Sequence, residues 1–174
     1  MKSEERLKAI DLALSNEMRE HQFYLKHAER TKNRIGKAVF KRIADDELEH
    51  YKRLQELHKK WVKQERWPET VPLKVKDTVV KDVLLDAIRA VEKKPETDSD
   101  DLVAIRTAID FEEKGVTYYE NLKNMVSDPK EKQFFSLLSQ IEKEHALSLR
   151  DAEEYLTDPE SWFLKKERHS LDGM

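Results

Sequence analysis

Two stretches of this chain repeat one another at a fixed separation of 95 residues, and the repeat runs through residues that a helical core rarely tolerates. Glu17 and Glu112, Glu47 and Glu142, and His50 and His145 are each 95 positions apart. Leu7 and Leu102, Ile10 and Ile105, Ala13 and Ala108, Tyr24 and Tyr119, Phe40 and Phe135, Glu49 and Glu144, and Leu54 and Leu149 keep the same offset. A register that never slips points to a duplicated unit with approximate two-fold symmetry.

The unit is helical. Positions spaced alternately three and four apart give Leu7, Ile10, Leu14, Glu17, His21, Tyr24 and Ala28 in the first long segment, and Gly36, Phe40, Ile43, Glu47, His50, Leu54, Leu57 and Trp61 in the second. The third gives Leu102, Ile105, Ile109, Glu112, Val116, Tyr119 and Val126; the fourth gives Phe135, Leu138, Glu142, His145, Leu149, Ala152 and Tyr155. Short joints around 33–36 and 127–129 predict two antiparallel hairpins, over about 3–63 and about 99–156. Between them, 64–98 holds Pro68, Pro72 and Pro95 around an apolar stretch, Val79 to Val91, and reads as a long crossover containing one short helix. Residues 157–174 read as a tail that packs back at one point and frays afterward. The expectation is one all-α domain, a four-helix bundle made of two repeated hairpins.

Composition agrees and excludes several chemistries. Of 174 residues, 40% are charged and only 3 are Gly, which favours long helices with paired surface charges over a turn-rich β fold. Lys and Arg total 33 against 36 acids, with no long basic block of the kind nucleic acids or anionic membranes require. No signal-peptide core opens the sequence and no run of about 18 apolar residues follows, so a cytoplasmic location is expected. With no cysteine, thiolate metal sites, disulfides and thiol nucleophiles are all excluded, and any metal must sit on oxygen and nitrogen donors.

The four stripe glutamates carry the chemistry. A carboxylate facing the core without a partner is strongly destabilising and ordinarily takes up a proton. In Glu47-Leu48-Glu49-His50 and Glu142-Lys143-Glu144-His145, the first and fourth residues lie roughly 60° apart around a helix and one turn along it, so both reach one ion. Four carboxylates and two neutral imidazoles suit two divalent ions close together. A lone Glu-x-x-His is ordinarily a solvated face; two in register, each 30 residues after a stripe Glu, are not coincidence. Metal affinity is expected to fall below about pH 6, through the ordinary histidine range.

These four glutamates and two Glu-x-x-His motifs resemble rubrerythrin and its ferritin-like relatives, over both hairpins. The resemblance implies a ferritin-like bundle with two metal ions, iron first, with manganese or zinc as alternatives. Glu17 and Glu112 would be terminal carboxylates, Glu47 and Glu142 bridges, and His50 and His145 one terminal ligand each. It also implies that Tyr24 and Tyr119, each seven residues after a terminal Glu, hydrogen-bond ligand carboxylates; a core aromatic whose hydroxyl finds some other partner is the alternative. Two departures stand out: the family pattern places another Glu where this chain has Gly115, and a cysteine-ligated rubredoxin domain is missing here. The internal repeat puts Glu20 opposite Gly115, either as a relocated seventh carboxylate or as a solvated helix residue. His21 reads as a further ligand, a proton carrier or, by default, a satisfied core histidine, and His27, His58 and His169 as surface or edge residues.

Three functions follow as expectations: an oxidoreductase of rubrerythrin type that reduces peroxide or dioxygen with electrons from an external donor such as a rubredoxin; an iron-oxidising and iron-handling protein; or a non-catalytic module stabilised by metal. The expected partners are that donor and a second copy of the chain in a homodimer, with no nucleic acid and no membrane.

Overall fold

The computed structural model describes residues 3–63, 78–91 and 97–172. Six helices and no strands occur among them: α1 (Ser3–Arg30), α2 (Arg34–Val62), α3 (Val80–Arg89), α4 (Ser99–Met125), α5 (Pro129–Thr157) and α6 (Pro159–Asp172). The described residues therefore form an all-helical fold, as the stripes predict. Pro68, Pro72 and Pro95 of the expected crossover lie outside the described residues.

Helices α2, α4 and α5 each start where a side chain satisfies the first free amides. Asn33 caps α2 by accepting from the backbone of Ile35 and Gly36 at 3.0 and 3.1 Å, which places Gly36 inside the first turn rather than in the joint. Asp98 accepts from Asp101 N at 2.7 Å to start α4. Asp128 accepts from Lys130 N and Glu131 N to start α5, with Pro129 at the first position, where no amide is missed.

Helices α1 and α2 pack along one another, as do α4 and α5; α3 rests on α2 and α5, and α6 on α5. The apolar interior forms two clusters. One gathers Ile10, Ala13, Leu54, Tyr119 and Phe135; the other gathers Ile105, Ala108, Leu149, Tyr24 and Phe40. Each of these five repeat-related pairs is split, one member to each cluster, and Val80, Leu84 and Ile88 of α3 and Trp162 of α6 complete the second cluster. A large apolar side chain contributes about 1.5–3 kcal/mol when fully buried, so these clusters are the main favourable term.

The tail corrects one expectation. Rather than fraying after a single contact, 159–172 is a continuous helix. Asp158 accepts from Ser161 N, and Trp162 is buried edge-on against Tyr155, so a cap and one aromatic anchor hold the segment helical. Among the described residues, no helix is long and apolar enough to cross a membrane.

Candidate metal centre

Glu17 on α1, Glu47 and His50 on α2, Glu112 on α4, and Glu142 and His145 on α5 are all essentially removed from solvent, none exposing more than 1% of its surface. They form two overlapping groups. Glu17, Glu47, His50 and Glu142 offer ligand atoms within 4.8 Å of one another, and so do Glu47, Glu112, Glu142 and His145. Glu47 and Glu142 belong to both groups, while each terminal Glu and each His belongs to one. The helical period brings this about, because every one of these residues replaces an apolar stripe position at the same height.

The polar atoms are in excess. Glu17 Oε2, both carboxylate oxygens of Glu47 and of Glu142, and both ring nitrogens of His50 are buried without a well-formed hydrogen bond among the described residues. His50 Nδ1 lies 3.4 Å from Glu17 and Glu142 and 3.6 Å from Glu47. His145 Nδ1 lies 3.1 Å from Glu47 and 3.2 Å from Glu112. Native interiors pair nearly all such groups, so oxygen and nitrogen lone pairs left converging on one volume mark a place for cations.

Without cations, protons hold the cluster together. Burial, reinforced by the charges of Glu17 and Glu112, pushes the Glu47 carboxyl up to about 8. Burial and the charges of Glu47, Glu112 and Glu17 push Glu142 well above the carboxylate range. Burial also pushes Glu17 upward, yet Glu47, His50 and Tyr119 outweigh it and hold Glu17 below its ordinary value. Burial alone would depress both histidines; the surrounding carboxylates instead raise His50 and His145 well above the ordinary imidazole value. The imidazoles sit among carboxylates, so in the metal-free protein protons are held more firmly there than on a free histidine.

Two tyrosines cross between halves. Tyr24 of α1 donates to Glu112 of α4, and Tyr119 of α4 donates to Glu17 of α1. Each hydroxyl thus meets a carboxylate of the cluster. Glu20 is buried rather than solvated, and burial with the charges of Glu47, Glu17 and Glu112 raises its carboxyl to about 11. It lines a cavity of about 140 Å³ with Glu17, Gly115, Tyr118, Tyr119 and Glu142, at whose mouth Arg19 and Lys114 stand. At Gly115 an added Cβ would lie 2.5 Å from Glu142 Oε2, so the missing side chain is what gives the Glu142 carboxylate its room.

A model of the rubrerythrin family matches residues 8–153. The chain belongs to the rubrerythrin family. Neither the curated proteins nor the solved structures searched give a match. Rubrerythrins are di-iron proteins, and the buried Glu and His cluster of this member suits a metal centre of that kind.

The remaining predicted residues fall outside the cluster. His21 has its Nδ1 2.6 Å from the Ala44 carbonyl, so it is the satisfied histidine expected. His27 packs at a tilt against Phe23 and accepts from Arg30, His58 pairs with Asp11 at 3.0 Å, and His169 is exposed. The residue that the stripes missed is Asp46, buried beside Glu47, with Oδ2 2.8 Å from His145 Nε2. It hides in the run Asp45-Asp46-Glu47, which reads as a solvated acidic edge; the signal for it was its repeat counterpart, Ile141, which marks that helix face as interior.

Proposed function

We propose that this protein is a di-metal oxidoreductase of rubrerythrin type, most at home with iron, which reduces peroxide or dioxygen using electrons supplied from outside these 174 residues. The sharing of Glu47 and Glu142 between two ligand groups carries this reading, because residues common to both groups would hold two cations close enough to act together. In this reading Glu17, Glu47, His50 and Glu142 hold one ion, and Glu112, Glu47, Glu142 and His145 hold the other. The fold behind it is a ferritin-like bundle of two hairpins, about 3–63 and about 99–156, joined by the crossover 64–98.

The metal pair, when bound, supplies Lewis acidity and reducing equivalents to a two-oxygen substrate. The chain's own residues do the rest. Glu17 and Glu112 are oriented by Tyr119 and Tyr24, so the terminal carboxylates do not swing free. The apolar clusters on either side exclude bulk water. The cavity between α1 and α4 gives a small reactant a way to Glu17 and Glu142, and Glu20 in its wall, with its carboxyl raised by burial and the neighbouring charges in the metal-free protein, is positioned as a proton source or as a seventh ligand. The absence of cysteine leaves electron supply to a separate donor, for which a rubredoxin-like protein is suited, and we propose a homodimer as the working assembly.

Anaerobic loading with ferrous iron, followed by rapid mixing with hydrogen peroxide or dioxygen, tests the proposal. Two irons per chain and much faster oxidation by peroxide are expected. Indifference to both oxidants would rule out the oxidoreductase reading.

A further inference from the structure

The repeat that builds the site is broken beside it at Asp46, as it is at Glu20 and Gly115. Asp46 and Ile141 occupy equivalent positions, one residue before Glu47 and Glu142. Asp46 Oδ2 lies 2.8 Å from His145 Nε2, and the carboxylate is itself fixed by Arg42, whose Nε and Nη2 reach Oδ1 at 3.1 and 2.5 Å, and by Thr78 Oγ1, which donates to Oδ2 at 2.5 Å. At the other histidine the corresponding neighbour in sequence is apolar. His50 Nε2 is buried and has no hydrogen-bond partner among the described residues.

From this asymmetry we propose that the two metal subsites are unequal and that Asp46, as a positioning residue, makes the His145 subsite the one that fills first and holds its ion more tightly. The inference rests on the metal-centre reading above. A histidine that binds metal through Nδ1 must carry its proton on Nε2 and hold its ring in one orientation. At His145 an anchored carboxylate accepts that proton's hydrogen bond, which selects the tautomer, fixes the ring and makes Nδ1 a stronger donor. His50 coordinating in the same way keeps a buried Nε2–H with no hydrogen-bond partner among the described residues, so no acceptor selects that tautomer. Its subsite is the one whose metal exchanges and whose ligand lets go.

The consequence extends to the linker. Thr78 stands just before α3, and its hydroxyl is one of the two groups that fix Asp46. The segment joining the two halves thus reaches the tighter subsite, while the weaker one has no such tie among the described residues.

Cobalt(II) titration of the metal-free full chain, followed by visible absorption with a competing chelator, tests this, together with nitrogen-15 NMR of the histidine rings at one equivalent of zinc. Expected are two steps about 10–100-fold apart, with the ring of His145 taking the metal-bound, Nε2-protonated signature at the first equivalent while that of His50 does not. Asp46→Asn should weaken the first step by about 10–100-fold and leave the second nearly unchanged. Thr78→Val, which loosens Asp46 without removing it, should move the first step in the same direction by less, and serves if the Asn variant folds poorly. Two equal steps in the unaltered protein, first occupancy at His50, or equal weakening of both steps by Asp46→Asn would each overturn the inference while leaving a two-metal centre in place. Failure to bind cobalt or zinc at all would instead overturn the metal-centre reading, and the inference with it.

Discussion

Tyr24 on α1 donates its hydroxyl to Glu112 Oε1 on α4 at 2.5 Å, with both side chains wholly buried. The bond ties the first helix to a carboxylate of the second half, and Tyr119 returns it to Glu17. Tyr24→Phe removes the donor and leaves a buried carboxylate oxygen unpaired. A hydrogen bond to a charged group contributes about 1.5–3 kcal/mol, so urea unfolding of the metal-free protein should show a loss of that order. Tyr119→Phe should lose a similar amount, and the double variant should depart from the sum, because Glu17 and Glu112 both act on Glu47.

Metal-free protein should become less stable as pH rises. Glu47 has its carboxyl raised from 4.5 to about 8, so its contribution is complete below about 4.5 and is gone once the pH has passed through about 8. Glu142, His50 and His145 are raised as well and act in the same sense. Melting temperatures measured from pH 5 to 9 should therefore fall. With metal bound the trend should reverse, since the ions displace the same protons, and proton release on metal addition should be measurable in weakly buffered solution near neutrality. A metal-free melting temperature that climbs steadily with pH would contradict the protonation pattern.

Glu20→Gln separates the two roles open to that residue. Its carboxyl is raised to about 11, hence neutral at pH 7 in the metal-free protein, and a neutral amide of the same shape should change stability there by less than about 1 kcal/mol. As a seventh ligand it should alter the metal's absorption spectrum when lost; as a proton source it should slow peroxide reduction and leave the spectrum alone.

Gly115→Ala should set stability and metal binding against each other. Alanine in a helix interior is favoured over glycine by about 1 kcal/mol, while the new Cβ would stand 2.5 Å from Glu142 Oε2. The carboxylate is the far end of a flexible side chain and can move, so the fold should hold with an unchanged or higher melting temperature. Metal affinity should drop, because the displaced group is one of the two shared by both subsites. Isothermal titration beside a thermal melt would read both effects.

The long helices and the six cluster residues were legible because the helical period leaves so little freedom: once Ile10 and Leu14, or Leu138 and Leu149, face inward, Glu17, Glu142 and His145 must do so too. Spacing alone could not say whether Glu20 faced solvent, since its burial depends on how closely α4 approaches at Gly115. Nor could it find α6, where Trp162, Phe163 and Leu164 carry no sustained period and the helix depends on Asp158 and on the docking of Trp162 against Tyr155. Asp46 was missed for a third reason. A buried acid held by Arg42, Thr78 and His145 looks, in a string of letters, like any other acid on a charged helix.

The division of repeat-related residues between two apolar clusters bears on how the molecule comes together. Ile10 serves one cluster and Tyr24 the other, though both belong to α1, so the first half owns a share of each interior and the whole of neither. The same holds for cations: Glu17, Glu47 and His50 lack their fourth member until Glu142 arrives from α5. Neither half encloses an interior by itself, and the docking that closes both interiors also completes each group of metal-ligand atoms.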